Sequence, residues 1–127
     1  MIINAIRQAQ AMHRTVIEQT YTSICAVTER QKVKKPNGST GFEEVKVLEE
    51  QPCLMIYKTV SSASVPEPAA AINQGTVLLI APEVVIKPGS KITVSQNGAT
   101  ADYARSGIPA VFATHQEINL ESFKGYA

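Results

Sequence analysis

Side chains able to do chemistry are few in this chain, and they are scattered. Ser106, His115 and Asp102 supply on paper a nucleophile, a base and an orienting carboxylate. A serine nucleophile needs a strained turn that exposes it and donors for the oxyanion, and no G-x-S-x-G phrase surrounds any serine here. His115 stands in Thr114-His115-Gln116-Glu117 and reads either as a base or ligand, or as a strand histidine whose ring hydrogen-bonds a neighbour. Cys25 and Cys53 fall in strand-like stretches, and their separation matches no zinc spacing. They also lie far along the chain from His13 and His115, so they read as small buried hydrophobes kept reduced in a cytosolic setting. Pro88-Gly89-Ser90-Lys91 lacks the glycine spacing of a phosphate loop and reads as a turn. Tyr21, Tyr57, Tyr103 and Tyr126 are dispersed rather than gathered into the stacking platform of a single-strand-binding barrel. The expectation is a protein without catalytic residues, cofactor or metal.

The segment that does demand a purpose is Thr59, Val60, Ser61, Ser62, Ala63, Ser64, Val65, Pro66, Glu67, Pro68, Ala69, Ala70, Ala71, Ile72, Asn73 and Gln74, followed by Gly75. It joins two strand-like stretches, and a connection longer than about 12–15 residues is normally functional or disordered. Glu67 is its one ionised side chain. Small residues and prolines lose little side-chain entropy on ordering.

The elements that would position this insert follow from periodicity. Ile2 to about Gln19 reads as an amphipathic helix, with Ile2, Ile6, Ala9, Met12 and Val16 along one face and Arg7, Gln8, Gln10, Arg14 and Glu18 along the other. A helix of this length is marginal alone in water, so its stripe must lie on its own barrel, the slightly favoured reading, or on a partner. Beyond Thr20 the chain turns β-branched. Tyr21 to Glu29, the turn Pro36-Asn37-Gly38 and a returning strand Phe42–Leu48 make a long hairpin that Gln51-Pro52 is expected to break. Cys53–Lys58 starts a third strand, and the apolar run Val77-Leu78-Leu79-Ile80 within Thr76–Ala81 suggests a central strand buried on both faces. Lys91–Gln96 and Ala99–Arg105 flank Asn97-Gly98, a strong hairpin signal. Ser106-Gly107-Ile108-Pro109 reads as a turn, and Val111–Leu120 as a closing strand. In that strand Val111 and Ala113 differ in parity from Ile118 and Leu120, which calls for a bulge near His115 or for one half buried on both faces.

At 127 residues, 44% hydrophobic and 18% charged, the chain is expected to be one domain, 1–127, with the helix over 1–19 and a barrel over 20–121 that carries the loop 59–75. The fold class is mainly β: a small β-barrel of six or seven strands with one N-terminal α-helix and a long inter-strand loop. No 18-residue apolar run and no signal-peptide pattern appears, so the reading is a soluble, intracellular protein with no membrane partner. The net charge of +1 is unevenly spread, with six Arg/Lys against two Glu over residues 1–35 and one Lys against four Glu over 36–52. Such asymmetry suggests either complementary docking, between copies or with a partner, or ordinary solvated surface.

The order of these features resembles a known family. Gln51-Pro52-Cys53-Leu54, the long loop, Thr76-Val-Leu-Leu-Ile-Ala-Pro82, Ile86-Lys-Pro-Gly-Ser-Lys-Ile92 and Ala113-Thr-His-Gln-Glu-Ile-Asn-Leu120 together resemble the small head-closure, or stopper, proteins of tailed bacteriophages and prophages, over residues 20–121. The resemblance implies a β-barrel subunit of the virion neck, made in the bacterial cytoplasm. It implies a homo-oligomeric, twelvefold ring below the portal and adaptor, with a tail-completion protein beneath. The loop between two barrel strands, here Thr59–Gln74, would gate the channel and touch packaged DNA non-specifically. The helix, longer than the shortest relatives need, offers Ile2, Ile6, Arg7, Ala9 and Arg14 as a subunit or adaptor interface.

The residues fit that implication. About 16 residues at 3.3–3.6 Å each can reach some 25 Å out and back, and a rim with few charges blocks DNA without gripping its phosphates. Two rivals remain. An oligonucleotide-binding barrel requires aromatic and basic residues on one face and in the loop, which the loop lacks. A small hydrolase requires a pocket around His115.

Overall fold

A computed structural model of the chain describes residues 2–59 and 74–126. Helix α1 (Ile2–Glu18) precedes six strands: β1 (Ser23–Lys34), β2 (Thr40–Thr59), β3 (Gln74–Ile80), β4 (Lys91–Gln96), β5 (Ala99–Val111) and β6 (Gln116–Ser122). They close into an antiparallel barrel in the order β1-β2-β3-β6-β5-β4, with β4 returning to β1. Pairing traced from Ser23 passes through Cys53, Ile80 and Gln116 to Val111 near one end of β5. Traced the other way, from Ile24 through Ser95, it meets β5 at Thr100, near the opposite end. This displacement is the stagger that tilted strands need in order to close.

Alternation fixes what lies inside. Cys25 and Val27, Cys53 and Met55, Leu78 and Ile80, Ile118 and Leu120, and Ile92 and Val94 sit at every second position of their strands, and all are buried. The run at 77–80 is buried more thickly than alternation requires, as Val77 is covered along with Leu78 and Ile80, and Leu79 is half-buried.

Three features depart from the sequence-based expectations, and irregular backbone explains each. Gln51-Pro52 does not end a strand, for β2 runs through it to Thr59. Pairing with β1 slips between Cys25 and Val27 and again between Val27 and Thr28, leaving extra residues on β2 between Lys46 and Gln51. Glu50 takes a left-handed conformation there (φ 49°). Bulges bend a strand and accept a proline nearby, and this bend lets one strand serve two neighbours. Likewise Ser106–Pro109 is no turn but a bulged stretch inside β5, where the pairing slips between Ser106 and Ala110 and Gly107 has φ 75°. The parity conflict around His115 then resolves. Val111 ends β5, residues 112–115 turn, and Ile118 and Leu120 belong to β6. By contrast Asn97 and Gly98, with φ 53° and 79°, form the tight hairpin turn expected of them.

Polar side chains complete the barrel where strands run out. β1 begins at Ser23, opposite Cys53, so the backbone of Met55 lies beyond its end. The Gln96 amide takes the place of the missing strand: its Oε1 accepts from Met55 N (2.9 Å) and from Ser23 Oγ (2.7 Å), and its Nε2 donates to Met55 O (3.1 Å). Between β3 and β4, the segment 81–90 inserts Ile86 into the core. Gln116 Nε2 donates to Ala81 O and Val84 O, and Arg105 Nη1 donates to Ile86 O at 2.8 Å, pinning this plug.

Candidate functional site

The connection singled out by the sequence lies, at residues 60–73, outside the described residues; its roots are in view. Lys58 pairs with Gly75 and Thr59 with Gln74, so the insert leaves and returns through one closed two-stranded stem. Thr59 and Gln74, expected in the loop, are strand residues because backbone pairing persists to the last position where β2 and β3 face each other. Beside the stem, Tyr57 is half-exposed and Tyr103 partly buried. Burial pushes the Tyr103 phenol up, and the neighbouring Tyr57 adds to the shift.

The helix is attached at the other end of β3. Arg14 on α1 ion-pairs with Glu83, just past Ile80, and its Nε bonds Glu18 at 3.2 Å. The guanidinium holds the Glu83 carboxyl below the usual carboxylate range. Seven residues of β3, about 23 Å at 3.3 Å each, separate this tether from the stem of the insert.

None of the helix is buried. Ile2, Met12 and Val16 are 79%, 70% and 60% exposed, and Ile6 is 50% exposed. Packing of the stripe on its own barrel, the slightly favoured expectation, is therefore overturned. The reason is the tether: Ala9, mid-stripe, lies about 140° round the helix from Arg14 at ~100° per residue, so holding Arg14 against Glu83 turns the stripe outward. Arg7 is likewise exposed. Changing Ile6 and Met12 together to Asp should accordingly alter the unfolding free energy of the isolated chain by less than about 1 kcal/mol in urea titration. A loss of several kcal/mol would mean that the stripe is covered after all.

The paper triad does not assemble. His115 Nε2 is 3.0 Å from Glu117 Oε2, its Nδ1 is 2.9 Å from Thr114 Oγ1, and its ring stacks on Phe112 with centroids 4.9 Å apart. Asp102 instead accepts from Thr93 Oγ1 at 2.7 Å, and Ser106 sits opposite Asn119. The ring hydrogen-bonds neighbours as expected of a structural histidine, but His115 lies in the turn 112–115 and not in a strand. Cys25 and Cys53 are free thiols, 2% and 0% exposed, on adjacent strands inside the barrel. The hydrogen bond with Cys53, and then burial, push the Cys25 thiol up. Among the described residues, no cluster of three His, Cys, Asp or Glu side chains forms a metal site, and no helix is long and apolar enough to cross a membrane.

Sequence reasoning missed one surface. The β1–β2 hairpin outruns the barrel: β4 leaves β1 at Thr28, whereas β1 and β2 stay paired to Lys34 and Thr40. The projecting ribbon carries Arg30, Lys32 and Lys34, with Arg30 over the Phe42 ring at 4.4 Å. Its signal lay in the lengths, since strands of 12 and 20 residues cannot be matched by a neighbour of six.

No family model and no curated protein matches the chain. Among solved structures it is similar to the phage-like element PBSX protein xkdH from Bacillus subtilis, at 9% identity and a TM-score of 0.46, over 79% of this chain and 93% of that one.

Proposed function

We propose that this chain is a non-enzymatic structural protein of the phage neck, a head-closure (stopper) subunit. Its copies form a ring under the portal and adaptor, and residues 59–74 of each converge to gate the DNA channel. A tail-completion protein binds below. The observation that carries this reading is the placement of the stem and the tethered helix at opposite ends of β3. A segment directed at a duct and a surface docking on the wall need that separation. The unburied stripe on α1 and the exposed Ile108 and Val111 of β5 give the wall apolar area for neighbouring subunits, the kind of surface a lone soluble protein seldom leaves open. The near-absence of charge in the insert fits a barrier that stops DNA by bulk alone.

Deleting Ser61–Ala71 tests it. The stem pairs Lys58 with Gly75 and Thr59 with Gln74, and the three residues left between Thr59 and Gln74 suffice for a hairpin turn. The barrel should keep its urea midpoint, while assembled heads lose packaged DNA to nuclease. Heads that contain the shortened protein and still protect a full genome contradict the gate.

An oligonucleotide-binding barrel remains the second reading. Arg30, Lys32, Lys34 and Phe42 on the ribbon favour it, as they bring basic and aromatic groups to one place. It predicts tight, salt-sensitive binding of single-stranded DNA by the isolated chain.

A further inference from the structure

The ribbon is a feature that the gate leaves unused. β4 covers one edge of β1 from Ile24 to Thr28 and stops there, while β1 continues with β2 to Lys34. From Glu29 onward no strand lies on that edge among the described residues, and alternate residues there turn N–H and C=O away from β2. Lys87–Ser90, the turn leading into β4, and Tyr126 stand back from it. A groove of about 650 Å3 remains, walled on the other side by Glu29–Lys32 and Phe42.

The charge of this edge is one-sided. Arg30, Lys32 and Lys34 occupy alternate positions and so share one face of the ribbon. Across β2 they face Glu44, Phe42 and Thr40, and Glu44 is already engaged by Lys91 at 3.5 Å. On the opposite face, Glu29 is met by Lys87 at 3.9 Å and is followed by Gln31 and Val33.

We propose that the β1 edge from Glu29 to Lys34 docks an extended acidic segment of a partner protein. The segment adds as a strand in the line that β4 vacates. Its carboxylates, at every second position, lie against Arg30, Lys32 and Lys34, and its intervening side chains, uncharged, lie beside Gln31 and Val33. Strand addition uses main-chain hydrogen bonds for affinity and alternate side chains for specificity, and this edge supplies both. A nucleic-acid strand fits less well, because it needs successive aromatic platforms, whereas the groove has Phe42, already covered by Arg30, and Tyr126 on the opposite wall. The site is independent of the gate.

The test titrates the full chain with fluorescein-labelled acetyl-Glu-Val-Glu-Val-Glu-Val and with its Lys counterpart, and follows anisotropy at low and high salt. The acidic peptide should bind at least about tenfold more tightly than the basic one, and 0.5 M salt should weaken it by a similar factor. Lys32→Glu with Lys34→Glu, both at exposed positions, should remove that preference, and amide exchange should slow at residues 29–34 when the acidic peptide is added. Equal binding of the two peptides, no binding, protection elsewhere, or preferential binding of a dT hexamer each overturns the proposal. So does self-association through this edge that the acidic peptide fails to displace. Genome retention by the loop deletion is unaffected by any of these results, so the two readings fail separately.

Discussion

Leu78→Ala is expected to remove about 2.7–5 kcal/mol of unfolding free energy, and Leu79→Ala, one residue along the same strand, no more than about half as much. Leu78 is 0% exposed and stands between Met55 on β2 and Ile118 on β6, both inside the barrel. Truncating it opens a cavity where β2, β3 and β6 meet, and close-packed neighbours relax only partly into such a space. Leu79 points outward, between Leu54 and Glu117, and is half-buried, so solvent and flexible side chains can fill its place. Since whole domains are stable by about 5–15 kcal/mol, the first variant should show a large drop in urea midpoint at an unchanged slope. The pair is also a register test, because a slip by one residue would exchange the two side chains between core and surface. Equal losses, or the reverse order, would refute the assigned pairing.

The sequence was legible where local chemistry and tertiary packing agree. Asn97-Gly98 has one favourable hairpin geometry and takes it, and Pro36-Asn37-Gly38 turns with Gly38 N bonded to Lys35 O at 2.9 Å. The helix boundary held because Ile2–Glu18 carries its own periodicity and propensity. Failures came where one backbone feature depends on a distant strand. Pro52 looks like a breaker in isolation, yet bulges between Lys46 and Gln51 let β2 carry it while closing the barrel. Gly107-Ile108-Pro109 has turn composition, but β6 beside it keeps the strand going. The direction of the helical stripe was illegible for a similar reason. It depends on the pairing of Arg14 with Glu83, 69 residues away, which no periodicity encodes. As for function, the insert was visible as an anomaly of length, and its stem is now placed. The projecting ribbon came from a mismatch between strand lengths that appears only once β4 is known to be β1's other neighbour.

Gln116→Leu should cost about 1–3 kcal/mol although it exchanges a polar side chain for an apolar one of similar size inside the barrel. Gln116 is 2% exposed, and its amide nitrogen is the donor to both Ala81 O and Val84 O. Leucine supplies neither bond; Ala81 O keeps the bond from Val84 N at 3.2 Å, but Val84 O, half-buried, loses its side-chain donor, and a buried acceptor left without a partner costs about 1–3 kcal/mol. The gain from burying a more apolar group offsets part of this. The damage should begin locally: amide exchange across residues 81–90 should accelerate ahead of global unfolding, since Arg105 then holds Ile86 O alone. Gln116→Glu separates hydrogen bonding from packing. A buried carboxyl has its pKa raised above the unfolded value of about 4.3. Its ionised form faces two carbonyl oxygens and destabilises the fold at pH 7, whereas its protonated form can donate to one of them. The penalty is therefore greatest above the folded pKa and fades as pH falls toward the unfolded one. Urea titrations should show the Glu variant well below the Leu variant at pH 7 and level with it or above it near pH 4. A Leu variant within about 0.5 kcal/mol of the parent would mean that the plug is held by Ile86 in the core and not by Gln116.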